Sequence, residues 1–368
     1  MQTSIRCSLM RGGTSKGPFF HAGDLPSDPD TLARVLLAAL GSPHVRQIDG
    51  VGGGDPVTSK VAIVSRSTRA DADIDYKFAQ VFVDRPLVDT NPSCGNILTA
   101  VAPFAIEEGL FPAQDPVTTV RIHDVNTQSV VTSTVQTPGG RVAYEGDHQI
   151  DGVGGSHAPI ELNFAAMVGA KTGKLFPTGN RTDHIEGVDV SCVDMAMPVV
   201  FVPAEAVGRT GHETKAELDA DAELIARLDR IRCAASLRMG MGDAHERVTP
   251  KIALVAPPRH GGTLASRYFM PYAVATAYAV TGGTCLATAA CLEGTVAHAV
   301  ARLRDGDPRR VSIEHPQGQL HVLVSVADRG DGVDVKSATL VRHARRLMTG
   351  QVHIPASVWA PEAPGEPA

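Results

Sequence analysis

The sequence predicts an α+β protein built from two similar halves, and three observations carry that expectation. Short β-branched runs of five to eight residues are interleaved with fewer helical stretches, without the regular strand–helix alternation of a parallel fold. One strand pattern recurs at an offset of 191 residues, where Val57-Thr58-Ser59-Lys60-Val61-Ala62-Ile63-Val64 overlays Val248-Thr249-Pro250-Lys251-Ile252-Ala253-Leu254-Val255. In each copy a cysteine follows the lysine by 34 positions, Cys94 after Lys60 and Cys285 after Lys251. Finally, 368 residues exceed what a single hydrophobic core organises, so two domains are expected.

The strand-like segments are 57–66, 76–83, 117–125, 130–137, 199–207, 248–256 and 320–327, each rich in Val, Ile or Thr. Helical patterns occupy 29–41, 95–110, 213–239, 266–283 and the alanine-rich 284–300. In this reading each repeat is a strand with a lysine, then a small-residue helix with a cysteine at its N-terminus, the two facing each other over a cleft. The boundary is placed in the turn-rich stretch 176–187. The first half is then 1–185 plus the C-terminal segment 345–368, and the second is 186–344. The tail 361–368, Pro-Glu-Ala-Pro-Gly-Glu-Pro-Ala, has the composition of a disordered segment.

Composition excludes several functions. Net charge is -6 and aromatic residues make up 4%, so both the basic footprint and the stacking platform of a nucleic-acid binder are missing. No apolar run approaches a membrane span, and the N-terminus lacks the long apolar stretch of a signal peptide, which points to a cytoplasmic protein. The six cysteines contain no Cys-x-x-Cys pair and fit neither a disulfide framework nor a zinc ribbon. The 14 histidines show no paired metal spacing, and the glycine runs lack a dinucleotide fingerprint, so neither metal nor cofactor is indicated.

Two residues stand out for chemistry. Cys94, in Ser93-Cys94-Gly95-Asn96, immediately precedes a helix, where free backbone N–H groups and the helix dipole favour a thiolate and also suit a substrate carboxylate. Lys60 lies inside an apolar strand after a glycine-rich turn, and a partly desolvated lysine serves as a general base. Arg11, Gly12, Thr14 and Ser15 combine paired glycines, hydroxyls and a cation in an anion-cradle composition. The loop at Gly261-Gly262-Thr263 with Arg267, and the turn holding Gly283 and Thr284, are further anion-site candidates. Cys285 is the candidate second thiol, while Cys7, Cys192, Cys233 and Cys291 read as structural.

Taken together, Leu9-Met10-Arg11-Gly12-Gly13-Thr14-Ser15-Lys16-Gly17, Gly53-Gly54, Ser59-Lys60, Ser93-Cys94-Gly95-Asn96, Phe176-Pro177-Thr178-Gly179, Gly240-Met241-Gly242-Asp243 and Ser266-Arg267-Tyr268-Phe269 resemble the PrpF family of the diaminopimelate-epimerase-like superfamily. Within it the chain is most similar to the 4-oxalomesaconate tautomerases and isomerases of aromatic-acid catabolism. The resemblance implies two pseudo-symmetric halves, each a barrel-like sheet around a central helix, with the active site in the cleft between them. It also implies a cofactor-independent isomerase of a small unsaturated polycarboxylate, with Lys60 and Cys94 transferring the proton. Amino-acid epimerases of the superfamily carry Cys-Gly-Asn-Gly or Cys-Gly-His-Gly at one thiol and Cys-Gly-Thr-Gly at the other. Here the sequence reads Cys94-Gly95-Asn96-Ile97 and Cys285-Leu286-Ala287-Thr288, which weighs against a two-thiol epimerase. The expectation is therefore a tautomerase or isomerase of 4-oxalomesaconate, with a 2-methylaconitate isomerase, a two-cysteine racemase or a non-catalytic polycarboxylate binder as alternatives. A homodimer is the expected assembly.

Overall fold

The computed structural model describes residues 1–360 apart from 92, 246, 271, 276, 277, 330 and 331. The tail 361–368, expected to be disordered, lies outside the described residues. The strands are β1 (Gln2–Gly12), β2 (Ser15–His21), β3 (Lys60–Arg66), β4 (Ile74–Val81), β5 (Val88–Asp89), β6 (Val117–Asp124), β7 (Ser129–Gln136), β8 (Ile160–Asn163), β9 (Asp183–Ile185), β10 (Val188–Met195), β11 (Met197–Pro203), β12 (Lys251–Ala256), β13 (Leu264–Phe269), β14 (Arg309–His315), β15 (Gly318–Asp328), β16 (Val333–Arg342) and β17 (Ala344–Pro355). The α-helices are α1 (Pro29–Leu40), α2 (Gly95–Leu98), α3 (Val101–Glu107), α4 (Lys215–Asp219), α5 (Ala222–Arg238), α6 (Val280–Ala290) and α7 (Val296–Val300). Among the described residues no helix is long and apolar enough to cross a membrane.

The chain forms two compact units. The first is Met1–Leu162 with the C-terminal segment from Arg342, and the second is Asn163–Val341. The turn-rich stretch 176–187 lies inside the second unit. Its polar residues fold onto one another there: Thr178 and Asn180 both donate to the carboxylate of Asp183, at 2.6 and 2.9 Å, which ties the turn to the start of β9. Turn composition thus marks a surface corner of one core rather than a junction of two.

In the first unit the strands pair in the order β17-β1-β2-β3-β4-β6-β7, with β2–β3 and β4–β6 parallel and the other pairs antiparallel. Helix α1 starts at Pro29 behind an Asp28 cap that accepts from Thr31 N at 2.8 Å, and it ends at Gly41 in the left-handed conformation, φ 76°. Its apolar face (Val35, Leu36, Ala39, Leu40) packs on one side of the sheet against Val61 and Ile63 of β3 and Ala79 and Val81 of β4. Since strand side chains alternate, Lys60, Ala62 and Val64 point to the other side. There α2 touches β1, β2 and β3 while α3 touches β3, β6 and β7, so the sheet curves around the helical segment. The single helix expected over 95–110 is broken after Leu98. Pro103 has no N–H for the carbonyl of Thr99, and the chain tightens to a bond from Ala100 N to Ile97 O at 3.0 Å.

The second unit repeats this topology. Its strands pair β9-β10-β11-β12-β13-β14-β15-β16, and β11–β12 and β13–β14 are the parallel pairs. Helix α5 covers one face, against Ile252, Leu254, Ala265 and Phe269. Helix α6 lies on the other and touches β10, β11, β14 and β15, strands from both ends of the sheet. Nearly every residue of α6 is buried, as expected of a helix enclosed by a sheet. The repeated lysines both open a strand, Lys60 in β3 and Lys251 in β12, and the α+β fold class predicted from sequence is the one observed. The sequence expectation of helix over 266–283 fails: residues up to Phe269 complete β13, and α6 begins only at Val280. A short apolar run buried on both faces has no period that separates strand from helix.

Candidate active site

Lys60 is half-buried on the α2 side of β3. Its ammonium donates to Oε1 of Gln80 at 2.8 Å and lies 5.2 Å from the centroid of the Phe78 ring. Gln80 is itself fixed, because its Nε2 donates to the carbonyls of Ser59 and Pro56 at 2.9 and 3.1 Å, leaving Oε1 turned to the lysine. The neighbouring Ser59 faces the core and is fully buried against Gln47, whose Nε2 donates to it at 2.6 Å. The backbone is held as tightly: a Cβ on Gly17 of β2 would lie 1.7 Å from the carbonyl oxygen of Lys60.

Cys94 sits half-buried immediately before α2. Its carbonyl accepts from Leu98 N at 2.9 Å and from the hydroxyl of the buried Tyr76 at 3.3 Å. The preceding Ser93 donates to the buried carboxylate of Asp124, whose pKa is raised by burial. Tyr76 and Phe78 are two residues apart on β4 and therefore share one face, on rungs about 7 Å apart. The lysine ammonium over Phe78 and the cysteine backbone on Tyr76 are thus seated side by side on one strand.

The hairpin β1–β2 lies against the start of α2. Its two-residue turn, Gly13-Thr14, has Gly13 at φ +49°, the left-handed position that glycine fills in tight hairpins. A Cβ on Gly12 would lie 2.2 Å from the Asn96 carbonyl oxygen, and one on Gly13 would lie 2.1 Å from Asn96 Oδ1. The Asn96 side chain donates to Thr14 Oγ1 at 3.1 Å, locking hairpin to helix, and Ser15 is buried where β2 begins. Arg11 uses Nη1 for the carbonyls of Gly13 and His343 at 3.0 and 3.1 Å, and burial lowers its pKa. The structure therefore gathers Arg11, Gly12, Thr14, Ser15, Lys60, Cys94, Gly95 and Asn96 in the first unit.

The candidates from the second unit do not assemble as expected. Cys285 lies in the middle of α6 rather than at its start, fully buried, with its thiol toward the Val193 carbonyl at 3.5 Å. Burial pushes its pKa far above the ordinary thiol value, which removes it as an acid or base. The N-cap that corresponds to Cys94 is Ala279. Gly283 and Thr284 lie inside α6 as packing residues: a Cβ on Gly283 would lie 2.2 Å from Leu320 Cδ2, and the Thr284 hydroxyl donates to the Val280 carbonyl at 2.9 Å. Arg267 shares the α5 face of β13 with Ala265 and Phe269, whereas its neighbour Tyr268 packs on Gly282 of α6. It donates to the Glu213 carbonyl at 2.7 Å and lines a separate cavity of about 730 Å³. The amides of the 259–262 loop do bind an anion, but it is the protein's own Glu314, held by Arg259 N, His260 N and Gly262 N at 2.6 to 2.9 Å.

Among the described residues the metal-ligand types Asp229, Cys233 and His245 come together within 4.8 Å. Arg232 already donates twice to Asp229 Oδ1 and also reaches Cys233 Sγ at 3.6 Å, so a guanidinium occupies the place of a cation. Burial pushes the pKa of Cys192 up to about 12 and of Cys291 to about 11. Sequence reasoning missed a cluster of His148, His157 and His343 beside Arg11, where the ring centroids of His148 and His157 lie 6.1 and 4.5 Å from that of His343. No local spacing could signal it, because His343 arrives from the far end of the chain.

Known proteins match this chain over nearly its whole length. The family model described as PrpF protein matches residues 2–355. The chain is 47% identical over 358 residues to the 4-oxalomesaconate tautomerase of Pseudomonas putida, covering 97% of this chain and 98% of that protein. It is also 47% identical over 351 residues to the (4E)-oxalomesaconate Delta-isomerase of Novosphingobium sp. strain KA1, covering 95% and 98%. The crystal structure of methylitaconate-delta-isomerase aligns over 100% of both chains with a TM-score of 0.87 at 39% identity. By fold and by relatives, the chain is an isomerase. It belongs to the PrpF family, as the sequence motifs indicated.

Proposed function

We propose that this isomerase shifts a proton and a double bond on a small unsaturated polycarboxylate, most closely 4-oxalomesaconate, with Lys60 and Cys94 as the proton-transferring pair. The observation that carries the reading is the shared seating of the two residues. Lys60 lies over Phe78, and Cys94 is anchored on Tyr76, on one face of β4. A carbon acid conjugated to a carbonyl loses a proton to one of the pair, its charge delocalises as a dienolate, and the other returns a proton elsewhere on the conjugated system. The ammonium, held by a neutral amide rather than a carboxylate, keeps its charge available to the developing oxyanion. In this reading Arg11, Thr14, Ser15 and the amides of Gly95 and Asn96 hold the carboxylates, supported by the packing of the hairpin on Asn96 and the free N–H groups at the start of α2. Such chemistry requires positioning and electrostatics alone, without a cofactor. Two of the relatives at 47% identity, one named a 4-oxalomesaconate tautomerase and the other a (4E)-oxalomesaconate Delta-isomerase, support oxalomesaconate as the substrate, against 39% for the methylitaconate-delta-isomerase structure.

The test is turnover of 4-oxalomesaconate in deuterated water by wild type, Lys60→Met and Cys94→Ser, followed by ultraviolet absorbance and proton NMR. Wild type is expected to isomerise the substrate with deuterium uptake at one carbon, which separates a keto–enol shift from an allylic one. Both folded variants should be slowed by at least about 100-fold, the scale of a lost general acid or base. Variants as fast as wild type would refute the assignment.

A further inference from the structure

Three buried polar atoms without a protein partner occur together in the first unit: Nη2 of Arg11, Nε2 of His148 and Nε2 of His343. Buried polar groups are nearly always paired, so three unpaired atoms in one cluster point to a partner from outside the protein, and the polarity of the three decides its kind. The geometry gives their polarity. Arg11 Nη1 lies 2.9 Å from His343 Nδ1, sharing its two hydrogens among that nitrogen and the carbonyls of Gly13 and His343; facing a group that only donates, Nδ1 carries no hydrogen and the ring hydrogen sits on Nε2. His343 is fully buried, and its pKa is lowered to about 3 by burial and then by Arg11, so the ring stays neutral with a single N–H. His157 packs behind it, 4.5 Å between ring centroids. Arg11 and His343 thus present two donors with no acceptor, beside a half-buried third histidine. The group complementary to Arg11 and His343 accepts and carries negative charge, and His148 donates to it in the tautomer with its hydrogen on Nε2.

The cluster adjoins the proton-transfer pair through the hairpin. The amide of Gly13 donates to the His343 carbonyl at 3.0 Å. The loop between His148 and His157 packs on Thr14, where a Cβ on Gly152 would lie 3.3 Å from Thr14 Cγ2. Thr14 in turn is bonded to Asn96, two residues after Cys94. We propose that Arg11, His148 and His343 form a subsite for one carboxylate of the substrate, the carboxylate remote from the carbon that exchanges its proton. The inference rests on the isomerase reading above and extends it to the polycarboxylate specificity of that site.

The experiment titrates tricarballylate, a saturated tricarboxylate that cannot isomerise, into wild type, Arg11→Met, His148→Leu, His343→Leu and His343→Gln by calorimetry, alongside steady-state kinetics with 4-oxalomesaconate. Arg11→Met and the two leucine variants should weaken tricarballylate by about tenfold or more, the scale of a lost charge-assisted hydrogen bond. His343→Gln, which keeps a donor, should recover part of the loss. In turnover KM should rise by a similar factor, with kcat changed by less than about threefold, the signature of lost uniform binding. Undiminished binding by the folded variants overturns the subsite, and so does a wild type that fails to bind tricarballylate. If His343→Leu does not fold, the half-buried His148 and Arg11 variants decide. A wild type that binds tricarballylate through these residues yet leaves 4-oxalomesaconate unchanged would refute the substrate assignment while sustaining the subsite.

Discussion

Gly17 shows how much of the site is set by single residues with no chemistry of their own. The strand β2 can lie against the backbone of Lys60 only because position 17 lacks a side chain. Gly12 and Gly13 do the same against Asn96, so three glycines of one hairpin set the approach to both ends of the site. Gly17→Ala should therefore act on both stability and turnover. Overpacking of this kind costs about 1–3 kcal/mol, seen as a lower urea midpoint, and the displaced Lys60 should lower kcat by more than the loss of folded protein explains. An unchanged kcat would mean that β2 shifts without disturbing the lysine.

At the scale of elements, the two repeats have kept one frame and diverged in its use. Both halves place a lysine at the start of a strand and a buried helix across from it, but the chain before that helix differs. In the first unit Cys94 immediately precedes α2 and remains half-buried. In the second, α6 begins five residues before Cys285 and encloses it, and Gly282 and Gly283 permit close packing on Tyr268 and Leu320. Cys285→Ala should consequently leave kcat within about twofold of wild type while costing about 1–2 kcal/mol as a small core cavity. A loss of activity comparable to that of Cys94→Ser, in an enzyme that remains folded, would restore the two-thiol reading.

For the whole molecule, stability depends on pH through groups that the fold buries. Lys251, the repeat partner of Lys60, is 6% exposed, and burial followed by the charge of Arg232 lowers its pKa to about 8 from 10.5. No hydrogen bond or ion pair to its ammonium occurs among the described residues. Between these pH values the unfolded chain binds a proton that the folded one does not, so stability from this group rises with pH between about 8 and 10.5. Below pH 8 the buried cation carries its full penalty. Lys251→Met should then stabilise the protein at pH 7 by on the order of 2–3 kcal/mol, and the gain should vanish by about pH 10.5. Urea unfolding of both proteins across that range checks this; a gain independent of pH would show that Lys251 is not desolvated.

By itself the sequence determined the α+β class, the repeat, the family and the motifs that carry Lys60, Cys94 and the Arg11–Ser15 hairpin. All are written in local pattern: β-branched runs, paired glycines, a cysteine beside a helix start. Tertiary structure alone decided which candidates meet. Whether Arg267 joins α6 depends on which face of β13 it occupies, and a strand buried on both faces does not reveal that face. Whether Cys285 is reactive depends on where α6 begins, which its packing against the sheet sets. The turn at 176–187 looked like a boundary because turn residues mark surfaces, while the division of the chain follows cores. The histidines of the carboxylate subsite lie up to 195 positions apart, and the return of β17 beside β1 brings His343 to Arg11. Contacts between residues distant in sequence are decided by burial of the whole chain, which no local period records.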